Sequence, residues 1–140
     1  MIRTKGIRAT ARLRSLENVR ALSRLISPDE IFRLDPKIRW TALSTLGGRV
    51  IFCEMRPGLK SYTSDAEDRA FMEFGPQLMA GIAERLSPTG GAGRLQSLIV
   101  NLEKDSVFLR QLGDAYLAIS ADRSDAPDVF RKIEPLIGQI

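Results

Sequence analysis

The sequence of 140 residues contains no histidine and a single cysteine, Cys53. Without histidine, the chain lacks the commonest general base at neutral pH and the usual activating partner of a serine or cysteine nucleophile. One cysteine cannot form a disulfide within the chain, and the usual Cys/His sets that hold structural zinc cannot be assembled. Because Cys53 lies in a predicted strand, we interpret it as a small buried side chain. The sequence therefore predicts a protein that is not an enzyme and has no metal or cofactor.

Long apolar runs are also absent. No stretch approaches the roughly 20 apolar residues that cross a bilayer, and the segment from Met1 to Lys5 lacks the apolar core of a secretory signal. We therefore expect a cytoplasmic protein. With 44% hydrophobic residues in 140, the chain is long enough for one ordinary core and short for two. We expect a single domain over residues 15–140.

Acidic residues are missing from the start of the chain, where the first one is Glu17. The basic residues that precede it are Arg3, Lys5, Arg8, Arg12 and Arg14. Without these five, 16 of the 21 basic residues remain against 17 acidic ones, a balance of −1. Residues 1–14 also have few large apolar side chains, so we interpret them as a flexible basic tail. Such a tail contacts the phosphates of nucleic acid or lipid, contacts an acidic protein surface, or only keeps the chain in solution.

Four segments combine helical spacing of apolar residues with a capping residue in front of them. They are residues 15–26, 28–34, 65–86 and 126–137. The third is the longest, and Ser64 and Glu67 form a predicted capping box at its start. Asp125 is the predicted N-cap of the last helix.

Five segments are rich in β-forming residues: 38–44, 49–55, 95–102, 106–112 and 115–120. The pairs Gly47-Gly48 and Gly113-Asp114 join neighbouring segments as tight hairpin turns, because glycine tolerates positive φ angles. Short hairpins imply an antiparallel sheet, and the helices must cover its apolar faces. The predicted fold class is α+β.

The apolar residues of the long helix cover more than one stripe; they are Phe71, Met72, Phe74, Leu78, Met79 and Ile82. A helix that is apolar over much of its circumference must be buried on more than one side. Burial within the monomer accounts for half of this surface. A subunit interface is the sharper explanation for the rest, and both explanations stay open.

Three other motifs suggest chemistry but have simpler interpretations. The run from Gly90 to Arg94 lacks the Lys-Ser/Thr ending of a P-loop and precedes a strand, so we interpret it as a linker. The acidic residues Glu67, Asp68 and Glu73 complement the helix dipole as a solvated face. Trp40 alternates with polar neighbours and is interpreted as a core or interface anchor.

Three features together resemble the roadblock/dynein light-chain family. They are the Gly47-Gly48 hairpin leading into Arg49-Val50-Ile51, the capped helix after Ser64, and the Gly113-Asp114 hairpin leading into Tyr116-Leu117-Ala118-Ile119. The resemblance covers about Ser27 to Ile137 and is to compact archaeal members in particular. It implies a profilin-like fold, with a five-stranded antiparallel sheet in two-plus-three strand order, a long central helix, and flanking N- and C-terminal helices.

The resemblance also implies a function, that of a non-enzymatic dimeric scaffold or adaptor that presents or regulates a small GTPase. By position, it places the dimer or partner interface on the long helix and the third strand, at Phe71, Phe74, Leu78, Met79, Ile82, Leu95, Ser97 and Ile99. Two alternatives stay open. A PAS/GAF-type small-molecule sensor shares the strand order but usually has several short helices in place of the long one. A basic-tailed adaptor for nucleic acid or a membrane depends on the first fourteen residues.

Overall fold

The computed structural model describes residues 17–18, 20–22, 24, 26–86 and 91–138. The helices are α1 (Pro28–Leu34), α2 (Asp65–Arg85) and α3 (Ala126–Ile137), and the described residues between 17 and 24 are also helical. The strands are β1 (Ile38–Thr45), β2 (Val50–Met55), β3 (Ser97–Asn101), β4 (Asp105–Leu112) and β5 (Ala115–Asp122). The predicted basic tail, residues 1–14, lies outside the described residues. Within the described part of the chain, no helix is both long and apolar enough to cross a membrane.

All five strands form one antiparallel sheet in the order β2-β1-β5-β4-β3. β5 is central, with β1 on one side and β4 on the other. Gly48 and Gly113 adopt positive φ angles of 89° and 58° in the two predicted hairpin turns. The α+β class and the two-plus-three strand order are therefore confirmed.

The third strand is shorter than predicted. It begins at Ser97, which pairs with Arg110, and not at Leu95. Gly93 has a φ of 78° in the turn that leads toward the strand, so the chain joins the sheet only after this turn. Leu95 instead packs against the core from outside the strand.

Helices cover both faces of the sheet. One face carries the cluster that includes Leu117, Phe108 and Ile133, together with the buried residues of α1 and α3. The other face carries the cluster that includes Ala42 and Leu109, and it packs against α2. Because both faces are covered, β1 and β5 are buried at almost every position and do not alternate between buried and exposed residues.

α2 rests on the sheet through Met72, Gly75, Pro76 and Met79, its buried residues. A Cβ atom at Gly75 would lie only 3.0 Å from Cδ2 of Leu109. Glycine at this position therefore lets the helix approach β4 more closely than a larger residue would.

The predicted caps differ in their outcome. The Glu67 amide donates to Ser64 Oγ and the Ser64 amide donates to Glu67 Oε1, both at 3.1 Å, so the capping box is confirmed. Asp125, in contrast, makes no capping bond with its side chain. Its backbone is already helical, with φ −91° and ψ −22°, and its carboxylate lies 3.2 Å from Lys37 Nζ. Asp125 is therefore the N-cap residue of α3, as predicted, but its side chain does not cap the helix.

The segment between β2 and α2 is held in place by Arg56. Its guanidinium donates to the carbonyl oxygens of Ile38, Phe32 and Asp35, each at 2.7 Å. Its amide donates to the carbonyl of Arg39 at 2.7 Å. These bonds tie the start of the segment to α1 and β1.

Candidate protein-interaction surface

α2 presents two large apolar side chains to solvent. Phe74 is 70% exposed and Leu78 is 53% exposed, whereas Met72 and Met79 on the opposite side of the helix are buried. Residues four apart are neighbours on a helix surface, so Phe74 and Leu78 form one stripe. Adjacent apolar side chains of this size on a surface are typical of a protein-interaction site.

The stripe runs along the same side of α2 as Phe71. On the other side of the helix, Glu73 packs near the β1–β2 turn, where its Cγ would be 3.8 Å from a Cβ at Gly48. Phe71 borders a cavity together with Leu102, which follows β3. Phe74 and Leu78 follow Phe71 at spacings of three and seven, so they continue along that side of the helix.

β3 is an edge strand with an open side. Its sequence, Ser-Leu-Ile-Val-Asn, contains no charge and no proline, and among the described residues it pairs with β4 alone. The other edge strand, β2, carries the exposed Glu54 and an irregular register against β1 between Leu43 and Ser44. Charges and bulges are the usual means of preventing an edge from pairing. β3 is therefore the edge that is better suited to pairing with another chain.

The interface residues predicted from the sequence divide between surface and core. Ile99 is 49% exposed, as expected of an interface residue, and Ile82, Leu95 and Ser97 are partly buried. Met79 is only 3% exposed. The ring of Phe71 packs edge-on against Trp40, with 6.4 Å between centroids and 80° between planes. Phe71 and Met79 thus contribute to the monomer core.

Two residues that the sequence prediction omitted lie on the same sheet face as α2. Leu98 pairs with Leu109 and Val100 pairs with Val107, and both partners belong to the cluster under α2. Ile99 pairs with Phe108 of the opposite cluster, so it lies on the face that α3 covers. The alternation of strand residues was visible in the sequence. Which alternate set faces α2 depends on the register with β4.

The structure agrees with most of the non-catalytic interpretations given above to Trp40, Cys53 and the acidic residues of α2. Trp40 is 6% exposed and belongs to the core. Cys53 packs against the same cluster, and burial raises the pKa of its thiol, which makes it a poorer nucleophile. Glu67 and Glu73 are exposed, but Asp68 is half-buried, and burial raises the pKa of its carboxyl. Among the described residues, no group of three His, Cys, Asp or Glu side chains could hold a metal ion.

Comparison with known proteins gives matches by structure alone. No protein-family model matches the chain, and no curated protein matches its sequence. A Roadblock/LC7 domain from Streptomyces avermitilis superposes with a TM-score of 0.55 at 16% identity, over 74% of this chain and 82% of that chain. An MglB with a tetrameric arrangement gives 0.58 at 16% identity, over 90% and 80%. The gliding protein MglB of Thermus thermophilus gives 0.52 at 14% identity, over 91% and 90%.

At these identities the likeness concerns the path of the backbone, not the side chains of any site. The part of this chain that superposes on them includes a five-stranded antiparallel sheet with helices on it, which is what the hairpins and the capped helix of this sequence predicted. The resemblance noted in the sequence is thus confirmed at the level of the fold: this chain has the roadblock/LC7 fold.

Proposed function

We propose that the chain forms a homodimer through α2 and β3 and acts as a non-enzymatic scaffold that presents or regulates a small GTPase. The observations that carry the proposal are the exposed stripe of Phe74 and Leu78 on α2 and the uncharged sheet edge formed by β3. The roadblock fold supports it, and one solved structure with this fold is an MglB with a tetrameric arrangement.

A dimer with its two-fold axis next to β3 would cover both the exposed stripe of α2 and the open edge of the sheet. In such a dimer the same patch of each copy meets its equivalent, so two β3 strands pair and the sheet continues across the interface. The two α2 stripes then cover each other. A stable interface buries about 800 Å² on each partner, and Phe74, Leu78 and the exposed part of Ile99 would contribute to it.

The dimer is tested by a charge placed in the stripe. Leu78→Glu should give a folded monomer, because the side chain is 53% exposed in a single copy and only an interface would bury the new charge. Ala80→Glu adds the same charge at an exposed position on another side of the helix and should leave the dimer intact. Light scattering at micromolar concentration should give about twice the 15.6 kDa chain mass for the wild type and for Ala80→Glu. A monomeric wild type would contradict the proposal.

The partner is tested by a binding screen against small GTPases encoded in the same genome, each in its GDP form and with a non-hydrolysable GTP analogue. The proposal expects at least one GTPase to bind the dimer in one nucleotide state more tightly than in the other. The Leu78→Glu monomer serves as the control for a requirement for the dimer. If the wild type dimerises but binds none of them in either state, the GTPase part of the proposal is wrong while the scaffold part stands.

A further inference from the structure

A cavity of about 170 Å³ lies between the first turns of α2, strands β1, β4 and β5, and the segment that follows Arg56. Its apolar walls come from Trp40, Met55, Phe71, Leu102 and Val107. An engineered protein cavity of about 150 Å³ binds benzene, so this cavity is of the right size for a ligand with a single ring.

A carboxylate oxygen in this region has no partner. Among the described residues, the buried side-chain polar atoms without a hydrogen bond are Trp40 Nε1, Ser44 Oγ and Asp105 Oδ1. Two of these three atoms, on Trp40 and Asp105, belong to residues that line the cavity. A buried oxygen without a donor is costly, and it calls for a water or a ligand that supplies the donor.

The charges around the cavity favour a cation. Glu67, Asp68 and Asp105 supply three carboxyl groups, against the single guanidinium of Arg39. That guanidinium is already engaged, because its Nη2 donates to the Lys60 carbonyl at 2.7 Å and its Nε lies 3.6 Å from Asp122 Oδ1. Burial raises the pKa of Asp105 to about 6, and Arg39 opposes the rise only in part. The carboxyl groups around the cavity therefore outnumber its positively charged groups by three to one.

The walls are held in place by hydrogen bonds. The hydroxyl of Tyr62 donates to Asp122 Oδ1 at 2.8 Å, and the Arg39 guanidinium stacks on the Tyr62 ring, 4.1 Å from its centroid. Thr63 Oγ1 donates to Asp68 Oδ1 at 2.5 Å. A site that is ordered before binding loses less entropy when a ligand arrives.

We propose that this cavity binds a small organic ammonium ion. The ammonium group donates to the free oxygen of Asp105, and the apolar body of the ligand lies between Trp40 and Phe71. Aromatic rings and a carboxylate are the groups that recognise such cations, through cation–π attraction and a charge-assisted hydrogen bond. An anion of the same size would meet three carboxyl groups.

Three ring compounds of matched size test the charge preference: benzylamine, benzyl alcohol and benzoate. The chain has one tryptophan, so the indole N–H signal of Trp40 in the NMR spectrum of the ¹⁵N-labelled full chain reports on the cavity without ambiguity. Benzylamine should shift this signal to saturation at millimolar concentrations. Benzyl alcohol should bind about tenfold more weakly, because it lacks the charge-assisted bond, and benzoate should not bind.

The pH dependence and a variant test the role of Asp105. Benzylamine should bind more tightly at pH 7.5 than at pH 5, because Asp105 ionises between them; the other charged groups around it are Arg39 of β1, Asp122 of β5 and Asp68 of α2. Asp105→Asn should weaken binding about tenfold and abolish this dependence. The control is Asp128→Asn, a change of the same kind on a side chain that is 88% exposed on α3.

Three results would overturn the proposal. They are the absence of saturable shifts with benzylamine, binding of benzyl alcohol or benzoate as tight as that of benzylamine, and unchanged affinity in Asp105→Asn. The comparison of ligands and the pH series use the wild type alone, so the test does not depend on the folding of the variant.

Discussion

At the scale of single residues, Asp105 connects the cavity to stability. It is half-buried at the start of β4, and burial raises its pKa from 3.8 to about 6. A carboxyl whose pKa is higher in the folded state favours folding at low pH, and this contribution is lost as the pH rises through about 6. Above that pH the folded chain holds a poorly solvated charge.

Removing that charge should stabilise the protein where Asp105 is ionised. Asp105→Asn is expected to raise the free energy of unfolding by about 1 kcal/mol at pH 8, a value reduced from the full pKa shift because the group is partly exposed. At pH 4 the change should be small. Urea denaturation at both pH values measures the difference, with Asp128→Asn as an exposed control. An equal effect of Asp105→Asn at pH 4 and pH 8 would contradict the assignment.

At the scale of secondary-structure elements, two caps that look alike in the sequence differ in the structure. Ser64→Ala should lower the free energy of unfolding by about 1 kcal/mol, because it removes the Oγ that accepts from the Glu67 amide, while the backbone amide of residue 64 still donates to Glu67. Asp125→Ala should cost less than about 0.5 kcal/mol, since it removes only a partly exposed ion pair with Lys37. Denaturant unfolding of the two variants measures the difference, and equal losses would show that Asp125 caps α3 by another route.

The sequence correctly predicted the structural elements that depend on residues close to one another in the chain. The turns at Gly48 and Gly113 and the capping box at Ser64 depend on residues a few positions apart, and the structure confirms them. Contacts between distant segments were not predictable in this way. The cavity joins Arg39 of β1 to Asp105 of β4, and only the register of both strands on β5 brings these residues together.

The same limit applies to the interface. The spacing along α2 showed that the helix has more apolar residues than one buried side needs. It did not show which of them are buried: Met79 faces the sheet, whereas Phe74 and Leu78 face solvent. Which side a helix buries depends on the shape of the surface under it. The close approach of Gly75 to Leu109 is one such contact, and it needs a residue without a side chain at that position.

At the scale of the whole molecule, the basic residues that precede Glu17 set the net charge. Deleting Met1 to Arg14 changes the formal charge from +4 to −1, since it removes five basic residues and no acidic one. The shortened chain should still melt cooperatively, because the deleted segment has no apolar stripe. It should lose most of its retention on heparin, a polyanion that tests for binding of phosphate-like surfaces.

A full-length variant with glutamine at Arg3, Lys5, Arg8, Arg12 and Arg14 is the control, because it removes the charge but keeps the segment. It should match the deletion on heparin and the wild type in melting temperature. Loss of cooperative melting in the deletion alone would show that residues 1–14 contribute to the core.

The central position of β5 has a consequence for synthesis on the ribosome. β1 pairs with β5, and even the closest pair of this ladder, Thr45 and Ala115, is 70 residues apart in the chain. At 5–20 residues per second, translation takes roughly 4–14 s to cover that distance. An isolated two-stranded hairpin is only marginally stable. After the β1–β2 hairpin is synthesised, one edge of β1 therefore stays unpaired for several seconds. Chaperones that bind nascent chains can bind the hairpin during that interval.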